Sequence, residues 1–207
     1  MKYLVVTCIV VLIALQACTK VKHQGINSDL AAAFDFNKGS YWIYRDSLTG
    51  QIDSFYEFQR DFVTQLSANK QYSTDQITMH VLQSNATHTD YIEWHFLLGE
   101  DEYGITWFNK YGEFTPLFKY PYQLGGRVYS MSQNIVTNVY PSYTVNSQIF
   151  NNVVLVNDSL NGPPPQTSYW NDWFYIAANV GIIKMKLYHP YDSINRVWEL
   201  QSWHIVK

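Results

Sequence analysis

The amino-acid sequence predicts an all-β protein: a single antiparallel sheet of about ten strands that curls into an unclosed barrel. The chain is rich in strand-forming aromatics, with 17 Tyr, 11 Phe and 7 Trp. Its apolar positions alternate with period two, and the alternating segments follow one another at spacings of roughly 8 to 15 residues, which leaves no room for crossover helices. Because large twisted sheets either curl or split, a β-sandwich is the alternative.

The first 17 residues have the features of a signal peptide. Lys2 precedes an unbroken apolar or small-residue run from Tyr3 to Leu15. A bilayer-spanning helix needs about 20 apolar residues, and Gln16 ends this run earlier. We therefore expect residues 1–17 to be removed from the mature chain.

The end of this segment, Leu15-Gln16-Ala17-Cys18, resembles the bacterial lipobox. The resemblance implies that Cys18 becomes the mature N-terminus, with diacylglycerol on its sulfur and a further acyl chain such as palmitate. Several acyl chains make release from a bilayer slow, since each buried CH₂ contributes about 0.8 kcal/mol. Residues 18–28 are then the lipidated cysteine and a polar tether. An ordinary secretory peptide with an incidental Cys18 is the alternative.

Residues 29–207 are predicted to form one β domain. Asn27 or Ser28 is suited to cap a brief helical turn through the alanines that follow. The stretch YWIYRDSLTGQIDSFYEF, residues 41–58, predicts a β-hairpin around Ser47–Gln51, because a Thr-Gly pair supplies the turn chemistry.

The strand predicted at Phe55–Phe62 shows the clearest alternation. Tyr56, Phe58 and Phe62 would share one face, opposite a polar face that includes Glu57.

The same alternation predicts the rest of the sheet. Ile77, Met79 and Val81 share one face of the next strand. Further strands are predicted at Ile92–Leu98, Ile105–Phe108, Phe114–Phe118, Arg127–Met131, Ile135–Val139, Ile149–Asn157, Trp173–Ala177, Ile182–Tyr188 and Arg196–Val206. Three consecutive prolines place an exposed loop between the strands near residues 157–172.

Three segments resemble a group of uncharacterised small lipoproteins of Bacteroidota: FDFNKGSYWIYRDSLTGQIDS, FTPLFKYPYQLGG and DWFYIAANVGIIKMKL. Within the last segment, NVGIIK looks like a turn that leads into the penultimate strand, where Gly181 would supply the permissive backbone. The strand order is also similar to that of periplasmic lipoprotein-carrier proteins. That resemblance implies an unclosed barrel around an apolar cavity.

Several classes of function are excluded or disfavoured. The formal net charge is −3 and there is no basic stripe, so a nucleic-acid partner is not expected. Cys8 leaves with the signal peptide and Cys18 is lipidated, which removes cysteine catalysis and cysteine metal sites. P-loop, G-x-S-x-G and H-E-x-x-H motifs are missing from the sequence. We predict no enzymatic activity, no cofactor and no bound metal.

One group of polar side chains could support catalysis or metal binding. Glu93 and His95 lie two apart on a predicted strand, with Tyr91 before them. Three protein ligands are usual for a metal, so His80 or His189 would have to converge on the pair. A solvent-facing strand is the simpler interpretation.

Two further groups have simple interpretations. Asp46 and Asp53 flank the first hairpin and are interpreted as surface residues that keep it soluble. Four aromatic residues lie beside the proline loop: Tyr169, Trp170, Trp173 and Tyr175. They are expected to pack, with sugar or peptide binding as the alternative.

These observations predict a lipid-anchored envelope protein that is a structural or interaction module. The alternative is binding of a lipid or other apolar ligand in the concavity of the sheet, lined by Phe58, Met79, Trp94 and Phe96. Its expected partners are the membrane, through the lipid on Cys18, and either an envelope protein or that apolar ligand.

The expected location is the periplasmic face of the outer membrane. Surface-exported lipoproteins of Bacteroidota carry acidic residues just after the lipidated cysteine, whereas this chain carries Lys20 and Lys22 there. The cell surface is the alternative.

Overall fold

The computed structural model describes residues 21–68, 72–83, 93–98, 103–108, 114–118, 124–125, 135–160, 170–189 and 193–207. Within these residues the chain forms twelve strands and one helix of seven residues. The predicted signal peptide, Cys18 and the strand predicted at Arg127–Met131 lie outside the described residues.

Strands dominate the fold, as predicted. The helix is α1 (Ser28–Phe34). The strands are β1 (Lys22–Gln24), β2 (Tyr41–Asp46), β3 (Ile52–Leu66), β4 (Tyr72–Gln83), β5 (Glu93–Leu98), β6 (Tyr103–Phe108), β7 (Phe114–Phe118), β8 (Ile135–Val145), β9 (Gln148–Leu160), β10 (Trp170–Ala177), β11 (Gly181–His189) and β12 (Ile194–His204). Each predicted strand within the described residues overlaps one of β2–β12, whereas β1 was not predicted.

The strands form one continuous sheet in the order β7-β6-β5-β4-β3-β2-β12-β11-β10-β9-β8. Neighbours along this path are antiparallel, and β1 adds to β4 in parallel. Cα atoms of β7 and β9 come within 8 Å of each other although they lie near opposite edges. The sheet therefore curls into an open half-barrel, which confirms the predicted fold class; the sandwich alternative is not observed.

Helix α1 begins where one of the two predicted caps places it. The Asp29 backbone N donates to Asn27 Oδ1 at 2.9 Å, and the Ala31 N donates to the Asn27 carbonyl at 3.0 Å. After the helix, the chain carries Phe34 and Phe36 into the interior, where both rings are buried. A segment next to the predicted tether thus becomes part of the core.

The core lies on the concave side of the curled sheet. Trp42 Nε1 donates to the Val180 carbonyl, and the Tyr44 hydroxyl donates to the Ile182 carbonyl at 2.6 Å. Both side chains start on β2 and reach past β12 to the start of β11, which only the inside of a curve permits. The largest fully buried side chains are those of Phe36, Met79, Phe174, Ile176, Ile183 and Leu200.

Gly181 has the predicted role. Its φ is +92°, a conformation that favours glycine. A Cβ at this position would lie 3.6 Å from the Phe36 ring and 3.7 Å from Trp42 Nε1. The turn before β11 therefore packs directly against Phe36, two residues beyond the end of α1.

The faces of β3 are reversed relative to the prediction. Before the register shift that follows Glu57, Phe55 and Glu57 are buried, at 5% and 2% exposure, whereas Tyr56 is 39% exposed. Beyond the shift, Phe62 pairs with the buried Ile77 but is itself 56% exposed. The alternation itself is present, but the inward face carries acidic residues, which the sequence pattern assigned to solvent. The prediction failed because carboxyl side chains usually face water, and Glu57 is buried.

The interpretation of Asp46 and Asp53 as solubilising surface residues is wrong, since both are buried. The Asp46 carboxylate accepts from the Leu48 backbone N at 2.9 Å, from Thr49 Oγ1 at 2.8 Å and from Arg196 Nη1 at 2.9 Å. These bonds compensate for its loss of water. Asp46 therefore fixes the β2–β3 turn to β12.

The β8–β9 hairpin folds back over β12. Asn146 and Ser147 form its turn with φ of 48° and 68°. Asn146 Nδ2 donates to the Leu200 carbonyl at 2.9 Å, and Gln148 Nε2 donates to the Gln201 carbonyl at 3.0 Å. These acceptors lie where the β12–β2 register shifts, so the hairpin supplies donors at an irregular point of the ladder.

Candidate functional site

Three of the four residues predicted to line the concavity lie together in the strand register. Met79 of β4 pairs with Phe96 of β5, and Val81 pairs with Trp94 two positions further on. Met79 is fully buried. The side chains of Trp94 and Phe96 lie outside the described residues, so the register alone places them beside Met79.

Phe58 is separated from this group. The β3–β4 register shifts between Glu57 and Gln59, which makes Phe58 the extra residue of a β-bulge. Its ring centroid lies 5.9 Å from that of His80. His80 alternates with Met79 along β4, so Phe58 lies on the opposite face of the sheet.

The concave face at Met79 is covered by the chain itself. The Phe36 backbone N donates to Met79 Sδ at 3.1 Å, and the Phe36 ring is fully buried. Lys207 Nζ lies 5.0 Å from the centroid of that ring and donates to the Ala32 carbonyl at 2.9 Å. Side chains of this protein therefore occupy this part of the predicted ligand site.

We call residues 27–37 the N-terminal strap, because they run from β1 to β2 and insert Phe34 and Phe36 into the core. Asp35 receives both bonds of a bidentate pair from Arg60, each 2.9 Å long. The Asn37 backbone N donates to the Val206 carbonyl at 2.8 Å, and the Asn179 N donates to the Ala33 carbonyl at 2.7 Å. The strap is thus bonded to β3, to the end of the chain and to the β10–β11 turn.

Glu57 is a candidate functional residue that sequence reasoning missed. Its side chain is 2% exposed, and neither carboxyl oxygen has a hydrogen-bond partner among the described residues. Burial raises the pKa of Glu57 to about 8; nearby Arg60 acts to lower it and Asp35 to raise it. The carboxyl is therefore mainly protonated at pH 7. Glu57 alternates with aromatic residues along β3, and this pattern is typical of a residue on the solvent face. The sequence therefore gave no indication that Glu57 is buried.

Among the candidate metal ligands Glu93, His95, His80 and His189, His80 alone has a described side chain. The strand register places His80 of β4 directly opposite His95 of β5, and His80 Nε2 lies 3.1 Å from Asp61 Oδ2. The side chain of His95 lies outside the described residues. Among the residues that the structure describes, no group of three His, Cys, Asp or Glu side chains is arranged to hold a metal ion.

The aromatic group beside the proline loop does not present an open platform at Tyr175. Tyr175 is 6% exposed, and its ring lies 4.7 Å from that of Tyr143 and 6.4 Å from that of Tyr140. Packing, the expected role, accounts for this residue.

The β3–β4 hairpin forms an exposed apolar surface. The last five residues of β3 are all exposed. We call the described end of this hairpin, residues 62–68 and 72–74, the hairpin tip. Phe62, Val63, Leu66 and Tyr72 in it are 56%, 47%, 60% and 42% exposed.

Strand β1 lies against this tip. Lys22 pairs with Tyr72, and His23 pairs with Ser73. His23 Nδ1 lies 2.9 Å from Ser73 Oγ, and His23 Nε2 lies 3.0 Å from Asp75 Oδ2. The predicted tether is therefore partly folded: residues 22–24 belong to the sheet.

In the described part of the chain, no helix combines the length and the hydropathy that a bilayer crossing requires.

Comparisons with known proteins identify no family. No family model matches the chain, and no curated protein matches it. Two solved structures are similar in fold. One, from Bacteroides fragilis, is described as an exported protein with a YmcC-like fold; it has 9% identity, covers 83% of this chain and 98% of its own, and gives a TM-score of 0.49.

The other, from Parabacteroides distasonis, is described as a lipoprotein. It has 12% identity, covers 84% of this chain and 99% of its own, and gives a TM-score of 0.48. At these identities and scores, neither resemblance assigns a function to this chain.

Proposed function

We propose that this chain is a lipid-anchored protein of the bacterial cell envelope that acts by contact with other envelope components and has no catalytic activity. The lipobox-like end of the apolar leader at Cys18 supports the anchor. Lys20 and Lys22, in place of acidic residues, support the periplasmic face of the outer membrane as its location.

The observation that carries the proposal is the seating of Phe36 on Met79. A module that binds its partners on its outside needs a filled interior, because a filled interior keeps the binding surface rigid. Phe36, Met79 and Leu200 are fully buried in the described core. At Met79 the concave face is therefore occupied by the protein's own residues, which favours binding of a partner on the outer surface.

The anchor is tested by Cys18→Ala in cells. We expect the wild-type chain to fractionate with membranes and to have an intact mass that begins at an acylated Cys18. The variant should be soluble in the periplasm. A wild-type product with an unmodified sulfur, or a variant that stays on the membrane, would refute the anchor.

The interaction role is tested by photo-crosslinking from exposed positions on the outer surface. Tyr41 and Tyr188 are 41% and 50% exposed, and each is replaced by a photoreactive residue in the anchored chain. A discrete cross-linked protein that disappears in the Cys18→Ala background supports a membrane partner. Cross-linking from neither position would count against the proposal.

Binding of an apolar ligand is the second candidate, and Glu57 is the observation that favours it. A buried carboxyl without a partner is the kind of polar group that orients a ligand in an otherwise apolar site. Lipid extraction of the purified Cys18→Ala chain, which has no acyl groups of its own, distinguishes ligand binding from the interaction role. A stoichiometric lipid in that extract would favour ligand binding over the interaction module.

A further inference from the structure

We propose that the hairpin tip contacts the surface of the bilayer to which the chain is anchored, so that the half-barrel stands on the membrane with the β3–β4 hairpin downward. This inference rests on the proposed lipid anchor at Cys18. It adds a second, non-covalent contact with lipid and a fixed orientation, neither of which the anchor alone supplies.

The first observation is the short distance along the chain between the anchor and the sheet. Lys22 begins β1, four residues after Cys18. Four residues extend at most about 14 Å. Because Lys22 pairs with Tyr72, the lipid and the hairpin tip must lie on the same side of the molecule.

The second observation is the chemistry of the tip. Phe62, Val63 and Leu66 point to water on both faces of β3, each at least 47% exposed. Exposed apolar residues that are grouped in this way mark sites of protein or membrane contact. An amphipathic surface that buries such residues at the headgroup boundary binds more strongly as the buried apolar area grows.

The third observation is charge. Residues 19–24 and 62–74 contain three lysines, Lys20, Lys22 and Lys70, and no Asp or Glu. Positive charge close to a membrane is attracted to anionic headgroups. The two carboxylates that border the tip in the sequence, Asp61 and Asp75, lie 3.1 Å from His80 Nε2 and 3.0 Å from His23 Nε2. An apolar tip with the exposed Lys22 paired beside it therefore suits an anionic lipid surface.

The test compares two exposed leucines at opposite ends of β3. Leu66 is 60% exposed at the hairpin tip, and Leu48 is 56% exposed in the β2–β3 turn, about 45 Å away along the strand. Each is changed to cysteine in the acylated chain, Leu66→Cys or Leu48→Cys. The introduced thiol is then the one reactive thiol, because the Cys18 sulfur is blocked, and it is labelled with a polarity-sensitive nitrobenzoxadiazole dye.

The labelled proteins are bound to vesicles of phosphatidylethanolamine and phosphatidylglycerol that contain doxyl-labelled phosphatidylcholine. We expect the dye at position 66 to shift to the blue and to be quenched by the doxyl lipid, and the dye at position 48 to be quenched only by aqueous iodide. Adding Phe62→Ser and Val63→Ser to Leu66→Cys should reduce the doxyl quenching. Ile52→Ser, which alters an exposed residue at the far end of β3, should not.

The possible outcomes distinguish failure of the tip proposal from failure of the anchor proposal. If the protein floats with the vesicles but positions 66 and 48 are quenched alike by iodide, the tip proposal is overturned and the anchor stands. If the protein does not float and Cys18 itself takes the dye, the anchor fails, and the tip proposal fails with it.

A second copy of the chain is the competing occupant. It would shift the dye at position 66 in the lipid-free Cys18→Ala chain, labelled at Leu66→Cys, as protein concentration rises. That result would overturn the membrane contact in favour of self-association.

Discussion

Glu57 is a carboxylic acid that the fold keeps away from water, and no described residue forms a hydrogen bond with its carboxyl group. A charged carboxylate in that position would be costly, so the group holds its proton to a pH of about 8. Its neighbour on β4 is Val81, which is also buried. The residue therefore makes the stability of the interior depend on pH.

We predict that the free energy of unfolding falls as pH rises from about 5 to about 8. In this range the folded chain retains the Glu57 proton, with a pKa of about 8, while the unfolded chain has released it. The slope from this group approaches about 1.4 kcal/mol per pH unit and levels off above the folded pKa. Urea unfolding of the Cys18→Ala chain at several pH values measures it.

Glu57→Gln is the matched variant for this prediction. It cannot titrate, so the difference in unfolding free energy between the variant and the parent should move in favour of the variant as pH rises. Above pH 8 the variant should be the more stable, because a neutral amide costs less to bury than a carboxylate. Parallel pH profiles for the two proteins would contradict the assignment.

Asp46 is also a buried carboxyl, but its pKa is shifted in the opposite direction to that of Glu57. Burial acts to raise its pKa, but the bonds from Arg196, the Leu48 backbone and Thr49 outweigh it, and the pKa is lowered from 3.8. The stability that Asp46 contributes is therefore present above about pH 4 and is lost as pH falls through the lowered pKa.

Asp46→Asn should lower the free energy of unfolding at pH 7 by about 1–3 kcal/mol, because it weakens acceptors for buried donors. Asp29→Asn, in the exposed first turn of α1, should change it by no more than about 1 kcal/mol. Denaturant unfolding at pH 7 measures the change in unfolding free energy for each variant. Equal changes would show that Asp46 does not stabilise the β2–β3 turn.

At the scale of elements, the β10–β11 turn is where backbone geometry decides packing. Gly181 combines a φ of +92° with close approach to Phe36 and Trp42. An alanine there forces a side chain into a conformation that L-residues rarely adopt.

We predict that Gly181→Ala lowers the free energy of unfolding by about 1–3 kcal/mol. Gly25→Ala is the control, since nothing lies within 4 Å of the added methyl group; it should have an effect within about 0.5 kcal/mol. Thermal and denaturant unfolding of the two variants measure the difference. A neutral Gly181→Ala would show that the turn relaxes readily.

The elements that the sequence predicted are those whose pattern is local. Hairpins such as β2–β3 follow from turn residues and alternation, and the Gly181 turn follows from one glycine. Strand β1 was missed because Lys22–Gln24 has no apolar alternation; bonds to residues 50 positions away place it in the sheet. The extra length of β3 was missed because its last residues are exposed on both faces.

At the scale of the whole molecule, the number of strands and the curl were predictable from composition and spacing, but the contents of the concavity were not. The sequence placed Phe58 inside and Glu57 outside, and the structure has the reverse. A single β-bulge and a carboxyl that remains protonated produce this difference, and neither is visible in a period-two pattern. The burial of Met79 was predicted because its strand alternates without interruption.

The strap fills part of the half-barrel with its own side chains. Substitution of Phe36 tests how much this filling contributes to the stability of the whole molecule. The Phe36 ring is fully buried against Trp42 and Gly181, and the Phe36 backbone N donates to Met79 Sδ. Removing it leaves an apolar void that surrounding strands cannot close. We therefore predict that Phe36→Ala lowers the free energy of unfolding by about 3–5 kcal/mol.

Phe62→Ala is the matched control in the Cys18→Ala chain, because the same atoms are removed from a ring that is 56% exposed. Its effect should stay within about 0.5 kcal/mol. Urea unfolding gives both values, and binding of a small apolar probe such as benzene to the folded Phe36→Ala chain reports the void. Equal losses of stability for the two variants would mean that the strap does not close the interior, and the case for a filled module would then give way to that for an apolar-ligand protein.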